Sequence, residues 1–431
     1  MLYKNLSINE AGILTFAGQD AVSLAKEYGT PLLLLDVDMV RARCREYLQA
    51  MKSYLPAGSM PFYASKALSY KGIYRIMAEE NMGVDVVSAG ELYTALSAGF
   101  PGEKICFHGS SKTDSDIRYA MENGVGIFVC DSIQELEAID AEAARQNICQ
   151  KVLLRLQPGI DPHTHAKIST GNIDCKFGVA IETGQAEAFV GLALEKKNID
   201  LLGYHCHIGS QIFEHTPFCD AAVMMLHFCA EMVKKQGFAP RVLNLGGGMG
   251  VPYVDSDPTI SYGENIRSIG ALIEKTCQEL GLSQPAIYME PGRSIVADAG
   301  MTLYSAVSTK KIPGFRNYVA VDGGMTDNPR YTLYQAEYTV LPADRMLEQR
   351  DFICTVAGCC CESGDLIQEN VALPEPRRGD LLAVLTTGAY NYSMASNYNR
   401  VPRPPIVVVE GGQSKLAVRR ETWEDITKYD M

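Results

Sequence analysis

Between residues 61 and 290 the chain repeats one unit eight times: a short apolar run, then a longer amphipathic stretch. The runs are Phe62 to Ser65, Val84 to Val87, Ile105 to His108, Gly126 to Val129, Val152 to Leu156, Leu201 to Cys206, Val242 to Leu245, and Ala286 to Met289. The amphipathic stretches include Tyr70 to Asn81, Ser132 to Arg145, Pro217 to Gln236 and Asn265 to Leu280. Runs this short and this apolar suit strands covered on both faces, and the stretches between them supply the covering helices. Eight such units in about 230 residues fit a closed (β/α)8 barrel better than an open sheet.

After about residue 295 the pattern changes. Tyr318 to Val321, Ala336 to Leu341, Phe352 to Val356, Leu381 to Leu385 and Ile406 to Glu410 read as strands separated by turns, without long helices. This predicts an antiparallel β domain of sandwich or barrel type. Two short β-like pieces near the N-terminus, Leu6 to Ile8 and Ile13 to Phe16, are expected to pair with that domain. The expected division is a barrel over 30–295 and a β domain built from 1–29 with 296–431. A length of 431 residues agrees with two domains.

Composition excludes several classes of function. Thirteen cysteines, three of them consecutive at Cys359, Cys360 and Cys361, form no even framework and no zinc-finger spacing. They read as reduced thiols of a cytoplasmic protein. A net charge of −12 argues against nucleic-acid and anionic-membrane partners. No apolar run reaches the ~18 residues of a membrane helix. Met1 to Glu10 shows no basic segment followed by an apolar one, so no secretory signal is expected.

In a barrel, chemistry collects where the strands end. Lys66 follows the first run. His205-Cys206-His207-Ile208-Gly209-Ser210 closes the sixth, Gly246-Gly247-Gly248-Met249-Gly250 the seventh, and Glu290-Pro291-Gly292-Arg293 the eighth. Backbone N–H groups of a glycine loop and an arginine can converge on a phosphate. A lysine, a phosphate cradle and a carboxylate together are what pyridoxal phosphate requires. Each alone is ordinary: a lysine is usually solvated, a glycine triplet is usually a turn, and Glu-Pro-Gly-Arg could be a surface ion pair. Their joint placement at four strand ends carries the argument.

These positions resemble the pyridoxal-phosphate-dependent group IV decarboxylases of the alanine-racemase-like fold, over nearly the whole chain. Tyr63-Ala64-Ser65-Lys66-Ala67 is similar to the family's cofactor-lysine motif, with Leu68 where many members have asparagine. The resemblance implies that His207 stacks on the cofactor ring and that Ser210 and Gly246, Gly247 and Gly248 hold its phosphate. It implies that Glu290 meets the ring nitrogen, with Arg293 the arginine of the same motif. Cys361-Glu362-Ser363-Gly364-Asp365 resembles a segment that members insert into the neighbouring subunit's site. Gly388-Ala389-Tyr390 resembles the tyrosine that meets the phosphate, and Arg330 and Tyr334 resemble substrate-carboxylate contacts. Asp161-Pro162-His163-Thr164-His165 to Phe177-Gly178, and Tyr392 to Pro405, are similar to the diaminopimelate branch.

The activity so implied is decarboxylation of meso-2,6-diaminopimelate to L-lysine, the last step of lysine biosynthesis, in a homodimer with shared sites. Lys66, His207 and Cys361 would be the catalytic groups, with Cys361 or Lys66 returning the proton. Arg293, Arg330, Tyr334, Glu362, Ser363 and Tyr390 would contact substrate, and no metal is called for. A glutamate at 290, where racemases of this fold place arginine, favours decarboxylation. Two other readings compete. One is a decarboxylase of another basic amino acid, of ornithine, arginine or carboxynorspermidine type. The other is a barrel metallohydrolase using His205 and His207, with His163 and His165 repeating the spacing. A non-catalytic relative would be expected to lose cofactor-site residues, which are all present here.

Overall fold

The computed structural model describes residues 3–160 and 175–431. Its contacts divide the chain into two units: 43–250 with 260–292, and 1–42 with 251–259 and 293–431.

The first unit is the barrel. Its strands are β1 Met60–Ala64, β2 Gly83–Val86, β3 Ile105–Phe107, β4 Ile127–Cys130, β5 Gln150–Gln157, β6 Ile199–His205, β7 Val242–Asn244 and β8 Ala286–Met289. Each pairs in parallel with the next, and β8 returns to β1 through Tyr288 opposite Met60, so the sheet is closed. Every expected apolar run falls on a strand, within about two residues at either end. Inside, Phe62, Cys106, Val129, Leu153 and Val242 form one buried cluster.

Helices between the strands start and stop where local chemistry dictates. Ser132 accepts from the Glu135 N–H at the start of Ile133–Gln146, and Ser261 accepts from the Glu264 N–H at the start of Tyr262–Leu280. Each such cap is worth about 1 kcal/mol. Gly237 and Gly281 take left-handed backbone after Thr216–Gln236 and Tyr262–Leu280, which ends both helices cleanly.

The second unit is a β sheet in the order Leu366–Leu373, Phe352–Ala357, Asn317–Val321, Gly300–Lys311, Leu32–Asp36, Ile406–Glu410, Gln413–Val418. Leu381–Leu385 also pairs with Gly300–Lys311, and Val340–Pro342 pairs with Leu381–Leu385. Most pairs are antiparallel. Two are parallel, Tyr318 opposite Thr355 and Ile406 opposite Leu33, which the apolar runs alone did not predict. The strand expected from Ala336 begins only at Val340.

Leu6–Ile8 and Leu14–Phe16 pair with each other and, through Leu14–Phe16, with Gln19–Asp20 in a separate three-stranded sheet. They belong to this unit, as expected, although they pair with one another rather than with its main sheet. They are tied to the C-terminal segment by packing, with Leu14 and Phe16 buried beside Leu341, Leu381 and Val407. One backbone bond, from Leu14 N–H to the Ala343 carbonyl (2.7 Å), adds to this. Three-residue strands carry too little pattern to distinguish pairing from packing.

Candidate active site

At the C-terminal ends of the barrel strands lies a cavity of about 420 Å³, lined by Lys66, Asp85, His108, Arg155, His205, His207 and Glu290 among others. The strand ends deliver these groups directly. Lys66 sits in the turn after β1, and His108 follows β3. His205 ends β6, Asn244 ends β7, and Glu290 follows β8.

Glu290 is buried at the base of this group. Its Oε1 accepts from Asn244 Nδ2 (2.6 Å) and lies 2.7 Å from His108 Nε2. Its Oε2 lies 3.2 Å from His205 Nε2. Burial alone would push its pKa up, but His108 and His205 outweigh burial and hold it well below the usual carboxylate range. Burial pushes the His205 pKa down to about 4 against the pull of Glu290, so His205 is a neutral donor at neutral pH. Burial, with Lys66 nearby, likewise keeps His207 neutral. Asp85 is 2% exposed, and burial raises its pKa against the pull of His108. Its Oδ1 has no hydrogen-bond partner among the described residues.

The loop after β7 has room for glycine alone. Gly246 has φ 68° and Gly248 φ 127°. A Cβ on Gly247 would lie 2.0 Å from the Glu290 carbonyl oxygen, and one on Gly248 would lie 2.4 Å from the Gly209 carbonyl oxygen. A Cβ on Gly246 would lie 2.9 Å from His207 Nδ1. The loop is therefore pressed against both the segment carrying His207 and Ser210 and the segment carrying Glu290.

The metal alternative drew on His205 and His207. Among the described residues, the potential metal ligands that converge are instead Cys106, His108 and Glu290, within 4.8 Å of one another. Burial raises the Cys106 thiol well above its ordinary pKa, which makes it a poor metal ligand.

The β unit holds a cluster of its own. The Arg293 guanidinium lies 4.8 Å from the Tyr390 ring centre and 5.7 Å from that of Tyr253. Arg330 lies 4.9 Å from the Tyr253 ring centre and donates to the Tyr338 hydroxyl (2.8 Å). Tyr390 has φ 64°, an uncommon backbone for a tyrosine. Tyr334 ends the short helix Arg330–Tyr334 and is half-buried. Cys361, Glu362 and Ser363 form an exposed tip on a fixed base. Asp365, 2% exposed, accepts from the N–H groups of Met325 (2.6 Å) and Cys360 (2.7 Å), and the Cys361 N–H donates to Asn399 Oδ1 (2.7 Å).

A family model described as "Pyridoxal-dependent decarboxylase, pyridoxal binding domain" matches residues 37–297. The diaminopimelate decarboxylase of Bacillus subtilis (strain 168) is 45% identical over 425 residues, covering 98% of this chain and 96% of that protein. That of Staphylococcus aureus (strain COL) is 42% identical, covering 98% of each. The crystal structure of diaminopimelate decarboxylase from M. jannaschii in co-complex with L-lysine superposes with a TM-score of 0.91 at 33% identity, covering 99% of this chain and 98% of that one. The chain belongs to the diaminopimelate decarboxylase family. A lysine/ornithine decarboxylase from Vibrio vulnificus complexed with cadaverine is less similar, with a TM-score of 0.75 at 27% identity over 90% of this chain and 97% of that one.

Diaminopimelate decarboxylases of this family use pyridoxal phosphate, and the barrel residues fit that group. Lys66 offers an amine to its aldehyde, the glycine loop offers backbone space for its phosphate, and Glu290 is a carboxylate already fixed as an anion. Of the residues read from sequence, Lys66, His207 and Glu290 share the cavity, and Gly246 to Gly248 pack against their segments. Arg293, Arg330 and Tyr390 share the aromatic cluster of the β unit. Residues 161–174 of the branch-specific segment, with His163 and His165 of the metal reading, lie outside the described residues. Sequence reasoning missed Asp85, His108, Arg155 and Asn244, and gave His205 no role in the decarboxylase. Their signal was position: each lies on or directly after a strand whose end faces the cavity.

Proposed function

We propose that this chain decarboxylates meso-2,6-diaminopimelate to L-lysine and carbon dioxide, the closing step of lysine biosynthesis, in the cytoplasm. The observation that carries the reading is the buried Glu290 carboxylate, held ionised in the same cavity that Lys66 lines. Pyridoxal phosphate, when bound, supplies an electron sink for the pair of electrons released as the carbon–carboxylate bond breaks.

Lys66 would hold the cofactor through its side-chain amine until the substrate amine takes its place. Glu290, held as an anion, would favour a protonated ring nitrogen by opposite charge and so strengthen the electron sink that the cofactor supplies. His207, a neutral imidazole lining the cavity, would pack against the cofactor ring and restrict how the substrate is oriented. Ser210, the N–H groups of Gly246 to Gly248, Arg293 and Tyr390 would hold the phosphate. Either Cys361 or Lys66 delivers the proton that replaces the lost carboxylate. Glu362 attracts the distal ammonium of the substrate, with Ser363 beside it, while Arg330, Arg293 and Tyr334 attract its distal carboxylate. Leu32–Asp36 lies in the β sheet rather than in the expected 30–295 barrel, so we assign the cofactor barrel to 43–250 with 260–292 and the completing β domain to 1–42 with 251–259 and 293–431. The protein acts as a homodimer in which the exposed Cys361–Glu362 tip serves the other subunit's site.

A decarboxylase of ornithine needs no cation for a distal carboxylate, so substrate choice is the decisive test. Carbon dioxide release should be fastest from meso-diaminopimelate among that compound, ornithine, arginine and lysine, and should depend on added pyridoxal phosphate after dialysis. A preference for ornithine would overturn the assignment.

A further inference from the structure

Tyr253 packs against two buried guanidinium groups of the β unit and has no role in the reading above. Its ring centre is 5.7 Å from the Arg293 guanidinium carbon and 4.9 Å from that of Arg330. Its hydroxyl accepts from Arg293 Nη1 at 2.7 Å. Arg293 and Arg330 are 6% and 7% exposed, so neither charge is relieved by bulk water. No carboxylate among the described residues forms an ion pair with Arg330; its polar partner is the Tyr338 hydroxyl. Burial works against the Arg330 charge, yet the oxygens of Tyr253 and Tyr338 outweigh it, and its pKa is raised. The π face of Tyr253 supplies negative potential without neutralising the cation, which leaves the charge available to an incoming anion.

Tyr253 is itself held from several sides. Its N–H donates to Asp257 Oδ2 (2.7 Å), and its carbonyl accepts from the Thr339 hydroxyl (2.9 Å). The Tyr338 ring meets it edge-on at 5.4 Å. Tyr338 in turn donates to Asn391 Oδ1 (3.2 Å), beside Tyr390 in the chain. A surface spacer would need none of this anchoring. A spacer that fixes two like charges within one small volume does, because guanidinium groups otherwise repel.

We infer that Tyr253 is a positioning and specificity-determining residue: it spaces Arg293 and Arg330 into a paired-guanidinium receptor for a substrate carboxylate, and so favours substrates that carry a distal carboxylate. This rests on the diaminopimelate reading. Failure of that reading shows as no carbon dioxide from meso-diaminopimelate with the wild type, and takes the inference with it; failure of the inference alone shows as an active wild type in which the Tyr253 variants leave the ratio of pimelate to cadaverine inhibition constants unchanged.

The test uses full-length holoenzyme carrying Tyr253→Leu, which removes ring and hydroxyl, and Tyr253→Phe, which keeps the ring alone. The probes are meso-diaminopimelate as substrate, with pimelate (two carboxylates, no amine) and cadaverine (two amines, no carboxylate) as competitive inhibitors. Tyr253→Leu should raise KM and the pimelate inhibition constant about tenfold each, with kcat changed less than about threefold and cadaverine inhibition unchanged. Tyr253→Phe should fall between wild type and Tyr253→Leu. Equal weakening of pimelate and cadaverine, or no change in either, would make Tyr253 merely structural and overturn the inference. If Tyr253→Leu does not fold, Tyr253→Phe decides alone: a wild-type ratio of the pimelate to the cadaverine inhibition constant overturns it, and a raised ratio of those constants supports it.

Discussion

Glu290 is buried where an isolated carboxylate would take up a proton, since desolvation of the charge is costly. His108, His205 and Asn244 reverse that preference by placing three polar nitrogens on its two oxygens. The arrangement has a consequence for stability against pH. His205 is depressed to about 4 in the folded chain, while an unfolded histidine titrates near ~6.5. Between those values the unfolded state binds a proton that the folded state refuses, so stability falls as pH falls, by up to about 1.4 kcal/mol per pH unit. His205→Asn keeps a donor but cannot titrate. The drop in Tm between pH 7 and pH 5 should be smaller in this variant than in the wild type; an equal drop would show that His205 does not set it. Glu290 was legible because it sits in a recognisable Glu-Pro-Gly-Arg run. His108 and Asn244 were not, because a single polar residue at a strand end has no pattern of its own.

Among the elements, the loop after β7 makes the sharpest demand on its sequence. Gly247→Ala would drive a methyl group against the Glu290 carbonyl, which is backbone and cannot swing aside. It should weaken pyridoxal phosphate binding at least about tenfold, equivalent to about 1.4 kcal/mol, in a titration followed by visible absorbance. Gly263→Ala, in Tyr262–Leu280, meets nothing within 4 Å and should bind as wild type does. Equal affinity in both variants would count against the cradle. The barrel strands were readable because parallel strands buried on both faces are continuously apolar. Parts of the β unit were not. Leu366–Leu373 carries Gln368, Glu369 and Asn370 in its middle, and Gln413–Val418 is a largely exposed edge, so neither shows an apolar run. The partners of Leu6–Ile8 and Leu14–Phe16 depended on packing that no local pattern encodes.

At the scale of the whole molecule, the proposed dimer makes each site depend on two chains. The exposed Cys361 to Ser363 tip, rigid at Asp365, suits a segment that reaches another subunit. Mixing Lys66→Ala and Cys361→Ala subunits should restore about a quarter of wild-type activity, because half of the random dimers carry one intact site. No recovery in verified heterodimers would sink the shared site. The central claim is decarboxylation of meso-diaminopimelate at a site built on Lys66 and Glu290, and a single reaction in deuterium oxide tests it most directly. Proton and deuterium magnetic resonance of the products should show L-lysine bearing one deuterium on its ε-carbon, the carbon that lost its carboxylate, with an equal amount of carbon dioxide. Diaminopimelate recovered with deuterium at an α-carbon, and neither lysine nor carbon dioxide formed, would contradict the account and point to racemisation instead.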